Sequence, residues 1–238
     1  EKVVIENKGR DLKDLISLIE KRALSIWQED IENSRSMGEH GAGLISDGDG
    51  VLTHCNAGGL ATGGYGTALA VMFKARERNV NFTVYVDETR PVLQGARLTC
   101  WELKKAGIDY RLICDNMAGY LMSKSRINKI FVGADRIAKN GGFANKIGTY
   151  SVARLAKTHG IPLYVAAPVS SFDLSLKTEA EITIEQRPAE EVVILNGKNI
   201  APPGSCVENP AFDITPPELI TAIICERGII HPPFNLTK

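Results

Sequence analysis

Residues 51–70 read VLTHCNAGGLATGGYGTALA, and their chemistry is that of a thiol beside an anion-binding loop. Cys55 follows a short apolar run, and five glycines follow it between Gly58 and Gly66. Gly58, Gly59 and Gly64 could let backbone N–H groups converge on a phosphate, with a helix starting at Thr67 adding the positive end of its dipole. A thiol near pKa 8.5 is tuned by such surroundings. Two readings stay open from these residues alone: a reactive thiol beside a phosphate cradle, or a tight strand-to-helix turn with a core cysteine. The loop is neither a Walker loop nor Gly-x-Gly-x-x-Gly, although it contains Gly64-x-Gly66. A cysteine phosphatase would need an arginine soon after the cysteine, whereas the next basic residue is Lys74. His54 reads as support for the loop.

Further polar residues follow other apolar runs: Asp87 to Arg90, Asp115-Asn116 and Asp135-Arg136. Each could cap a helix. Taken together, they point to one shared crevice at the carboxyl ends of parallel strands, where open α/β sheets bind ligands.

The elements needed to place them are legible. Apolar runs at 51–54, 82–86, 110–114, 129–132 and 163–167 predict strands rich in Val and Ile. Between them, 67–78, 94–105, 118–125 and 146–159 predict helices. Repeated strand-helix units imply an α/β fold, a Rossmann-like parallel sheet with helices on both faces. An N-terminal helical segment over 1–46 precedes it, with Leu12, Leu15, Ile16, Ile19, Ala23, Ile26 and Trp27 at helical spacing. The Rossmann-like domain spans 47–238. Its proline-rich end reads as an elaboration, with short strands at 182–184 and 192–195.

Bulk properties narrow the function. Among 238 residues, 28 basic and 28 acidic side chains cancel, which argues against nucleic acid as the partner. No apolar run approaches the roughly 20 residues of a membrane span. Five scattered cysteines suit reduced thiols in a cytoplasmic protein, or a nuclear one in a eukaryote, better than disulfides or zinc. Four unpaired histidines give no metal motif. The chain starts at Glu1, as a fragment, domain or processed product would.

The segments THCNAGGLATGGYGTAL, DETRPVLQGARLTCWEL, DNMAG, VGADRIAKNGGFANKIGTY, VAAPVSSFDLS and NPAFDITPPELITAII, taken together, resemble the methylthioribose-1-phosphate isomerases. The resemblance runs from about Ile31 to Phe234. The wider superfamily includes ribose-1,5-bisphosphate isomerases and regulatory subunits of translation initiation factor 2B, which usually lack the cysteine–aspartate pair. The resemblance implies a homodimeric isomerase of methionine salvage, without metal or cofactor, acting on a sugar phosphate. It implies Cys55 and Asp135 as the catalytic pair, and Gln94, Asn145 and Lys146 as substrate contacts. Arg90 stands beside them as phosphate or loop support. Gly142 replaces an aspartate common in the family. The family's N-terminal Arg-Gly-Ala-Pro motif does not occur in these residues, so a separate N-terminal fragment of the same protein is an expected partner.

Overall fold

The computed structural model describes residues 2–236. A short helix, α1 (Lys2–Glu6), leads into the 30-residue α2 (Leu12–Gly41), capped by the Asp11 carboxylate on the Asp14 N–H. The sequence leaves one or two helices open here, and the structure has this single long one. Its buried end is not the periodic stretch read from the sequence. Leu12, Ile16, Ile19, Ile26 and Trp27 are exposed, whereas Met37, Ala42 and Ile45 are buried with Val51, Phe131 and Ile224. The helical segment and the sheet therefore share a core. Gly41 permits the close approach, because a Cβ there would stand 2.6 Å from Val71.

The sheet then builds by alternation: β1 (Gly50–Thr53), α3 (Ala68–Glu77), β2 (Thr83–Asp87), α4 (Cys100–Lys105), β3 (Asp109–Ile113), α5 (Ala118–Ser123) and β4 (Lys129–Val132). The predicted helix over 94–105 is split, since residues Gly95–Thr99 form a π-helical turn ahead of α4. After β4 the chain makes a hairpin, β5 (Arg136–Ala138) and β6 (Phe143–Lys146), before α6 (Thr149–Thr158) and β7 (Leu163–Ala166). Lys146 thus ends a strand rather than opening a helix. Beyond it lie β8 (Phe172–Asp173), α7 (Glu190–Val193), β9 (Ile194–Leu195), β10 (Lys198–Asn199), β11 (Phe212–Thr215), β12 (Ala222–Cys225) and β13 (Gly228–Ile230). No named strand covers 182–184; Ile182 follows a single helical turn. The stretch over 192–195 divides between α7 and β9.

The main sheet has seven strands in the order β13-β12-β7-β4-β1-β2-β3, parallel except for the edge strand β13. The C-terminal elaboration thus completes the main sheet. A second sheet, β11-β6-β5-β8, stands beside the carboxyl ends. Apolar clusters cover both faces of the main sheet, with Leu52, Ile130 and Val165 on one and Val51, Val84 and Phe131 on the other. Each such side chain contributes about 1.5–3 kcal/mol by leaving water. β1 and β4 lie side by side, with Val51 opposite Lys129 and Leu52 opposite Ile130. The chain leaves β1 toward β2 on one side and β4 toward β7 on the other. Their carboxyl ends form the topological switch point, where ligands bind in this architecture.

Candidate active site

Cys55 lies just past β1 and Asp135 just past β4, so the switch point brings them together. Both line a cavity of about 360 Å³, with Asp30, His54, Asn56, Thr62, Asn145, Lys146, Ser171 and Phe212. The cavity draws on α2, both loops and the second sheet.

Cys55 has a φ of 66°, in the left-handed region that a side chain rarely occupies. Two threonines hold it there. Its N–H donates to Thr89 Oγ1 at 2.8 Å, and its carbonyl accepts from Thr99 Oγ1 at 2.7 Å. Thr99 belongs to the π-helical turn, a distortion that recurs at functional sites. Burial pushes the Cys55 thiol up to about 11 against the smaller opposing pull of Lys146. The sequence suggests tuning by a helix end and neighbouring charge; desolvation dominates instead, and the group is a thiol at neutral pH.

Burial likewise pushes the Asp135 carboxyl up, while Lys146 pulls it down. The apolar run before it suggested that direction. Its neighbour Arg136 turns away, toward Asp173 at 3.4 Å. β6 supplies the facing wall. Lys146 pairs across the strands with Phe212, and its Nζ stands 4.3 Å from the ring centroid. Asn145 is buried and donates to Thr149 Oγ1 at 2.9 Å.

The glycine loop holds an anion, but it is the protein's own. Glu102, buried on α4, accepts the Gly59 N–H at 2.7 Å and the Asn56 amide at 2.9 Å. A Cβ at Gly58 would collide with that carboxylate. The Gly63 N–H goes to Asp30 and its carbonyl to Trp27 Nε1, both from α2. The Gly64 N–H points to Thr62 Oγ1 at 3.4 Å. Gly58, Gly59 and Gly64 thus shape the loop around its own side chains. Arg90 also serves main chain: its guanidinium donates to the Val192 and Pro91 carbonyls, and it does not line the cavity. Nor does Gln94, whose Oε1 is buried with no hydrogen-bond partner.

Behind Cys55, the ligand-type atoms of His54, Asp87 and Asp115 lie within 4.8 Å of one another. Hydrogen bonds occupy most of them, while Asp87 Oδ1 is buried without a partner. His54 Nδ1 is 3.0 Å from Asp87 Oδ2, and both Asp115 oxygens accept main-chain N–H groups, from Thr89 and Arg90. Asp30, Glu102 and Thr99 carry no signal in the sequence, because only the fold brings them to the loop.

Residues 3–232 match the initiation factor 2 subunit family. The chain is 57% identical over 221 residues to a methylthioribose-1-phosphate isomerase of Fervidobacterium nodosum, covering 93% of this chain and 63% of that protein. Among solved structures, it resembles the 5-methylthioribose 1-phosphate isomerase of Pyrococcus horikoshii at 45% identity and a TM-score of 0.91, covering 98% of this chain and 65% of that one. It also resembles a protein of A. fulgidus titled translation initiation factor eIF-2B subunit delta, at 49% identity and a TM-score of 0.89, covering 95% and 66%. The chain thus spans about two thirds of the length of these relatives.

Proposed function

Given that the chain belongs to the initiation factor 2 subunit family, we propose that it carries the catalytic centre of an aldose–ketose isomerase. Its substrate would be 5-methylthioribose 1-phosphate and its product 5-methylthioribulose 1-phosphate. One observation carries this reading. A thiol and a carboxyl, both biased by burial toward their protonated forms, line one cavity with the ammonium of Lys146.

The chemistry asks for such a pair. The anomeric oxygen of this sugar is esterified, so its ring cannot open unaided. An acid must protonate the ring oxygen, and hydrogen must then move from C2 to C1. The move is either proton transfer through an enolate or a direct hydride shift, and both routes need proton donors and acceptors flanking the sugar. Cys55 enters as a donor, and burial biases the Asp135 carboxyl toward its protonated form against the pull of Lys146. Lys146 and Asn145 offer charge-assisted and neutral hydrogen bonds to the phosphate and hydroxyls. Desolvation of the cavity strengthens each of these interactions.

The second reading is a non-catalytic subunit of the initiation-factor type, favoured by the likeness to the A. fulgidus protein. The Cys55–Asp135 pair in one cavity speaks against it. The isomerase reading extends to a cytoplasmic homodimer. Among the described residues, no helix is long and apolar enough to cross a membrane. The test is to incubate the full-length protein with 5-methylthioribose 1-phosphate and follow the ketose by NMR. Stoichiometric binding without ketose would favour the non-catalytic reading.

A further inference from the structure

His54 is 1% exposed and lies behind Cys55, in a position where an apolar residue would pack without desolvating a polar ring. Its hydrogen bonds define its protonation. Nε2 lies 2.8 Å from the Ile147 carbonyl, which only accepts, so Nε2 carries a proton. Nδ1 shares a second proton with Asp87 Oδ2 at 3.0 Å. Asp115, from the turn after β3, and Asp213, on β11, add negative charge around the ring.

The ring's two attachments belong to two different segments that line the cavity. His54 directly precedes Cys55. Ile147 directly follows Asn145 and Lys146. No space separates the parts: Gly148, at φ 107°, lies so close that a Cβ there would stand 2.7 Å from His54 Cε1. Asp213 secures the same turn by accepting the Gly148 and Tyr150 N–H groups. The imidazole therefore joins the thiol loop to the cationic wall by direct contact, and both hydrogen bonds constrain its rotation.

We propose that His54 is a positioning residue that fixes Cys55 relative to the Asn145–Lys146 segment through its hydrogen bonds to Asp87 and Ile147. Its effect on turnover rests on the isomerase reading above; its effect on the placement of Cys55 does not. A buried polar link is worth retaining where a fixed geometry matters, because sliding either side breaks a hydrogen bond that nothing else replaces.

The test uses the full-length protein with His54→Phe, which keeps a planar ring without hydrogen bonds, and His54→Gln, which keeps a donor able to reach Ile147. Three readouts are compared with wild type: thermal unfolding, kcat and KM for 5-methylthioribose 1-phosphate, and the rate of iodoacetamide labelling at Cys55, followed by peptide mass spectrometry. In folded His54→Phe, Cys55 labelling should rise at least tenfold and kcat fall at least thirtyfold. KM should change no more than about threefold, since the ligand stays with Lys146. His54→Gln should recover part of the lost kcat and slow Cys55 labelling part of the way back to wild type. Wild-type rates of labelling and turnover in a folded variant would overturn the proposal, as would failure of both variants to fold, which would mark His54 as structural only. If the wild-type protein forms no ketose, the isomerase reading fails and the labelling rates alone decide the role of His54.

Discussion

Glu102 and Gly59 meet across the glycine loop, the buried carboxylate accepting the Gly59 N–H at 2.7 Å. The loop therefore behaves as an anion nest already filled from within. Glu102→Ala should leave the Gly59 N–H without a partner and the Asn56 amide with only Thr99 Oγ1, at about 1–3 kcal/mol. Thermal unfolding should show a Tm several degrees lower, with partial recovery in Glu102→Gln. An unchanged Tm would mean the loop does not depend on this carboxylate.

Cys55→Ser should leave the fold intact and lower kcat at least ~10²-fold, the scale for losing a positioned acid or base. Serine keeps the volume and both main-chain hydrogen bonds to Thr89 and Thr99. Near-normal turnover by the folded variant would remove Cys55 from the mechanism.

Asp135→Asn should abolish turnover while product affinity stays within roughly tenfold, about 1.4 kcal/mol by calorimetry. The amide keeps size and hydrogen bonding but exchanges no proton. Joint loss of binding and turnover would assign Asp135 to holding the ligand.

Lys146→Met should weaken product binding by about 1.5–3 kcal/mol, roughly 10- to 100-fold. It should also shift the pH profile. Lys146 pulls the Asp135 carboxyl down, so its removal leaves burial unopposed. The limb that reports Asp135 should therefore move to higher pH. A static limb would separate the two groups electrostatically.

The Cys55 thiol, raised from 9.0 to about 11, should be slow to alkylate at pH 8, where about one molecule in a thousand is thiolate. Labelling should gain about tenfold per pH unit up to 11, with exposed Cys206 reacting first. An unfolded thiol ionises near 9 while the folded one stays protonated, so the native state binds more protons in that window. Stability from this group is complete below pH 9 and falls as pH rises toward 11. Labelling that is already fast and flat between pH 7 and 8 would contradict the raised value.

The sequence announces the first strands because β1, β2 and β4 are apolar runs closed by turns, and their polar tips fall together once the sheet is parallel. That alone puts Cys55 and Asp135 at one edge of the sheet. β6 was opaque for a physical reason. Its Phe-Ala-Asn-Lys has no alternating face, and its register comes from β11, far along the chain. Glu102 was opaque too, since a glutamate on a short helix reads as solvated until the returning loop buries it. The exposed periodic face of α2 shows the converse error, where spacing predicts a buried stripe that the described residues leave open.

The placement of β12 between β7 and β13 has a consequence for synthesis. Strand β7 pairs with β4 as soon as both are made, but its other edge stays open until residues 222–230 emerge. A nascent chain thus presents an apolar strand edge while residues 167–221 are being added, the kind of edge that pairs with other chains. Premature termination before Ala222 should therefore yield aggregates rather than a smaller folded protein.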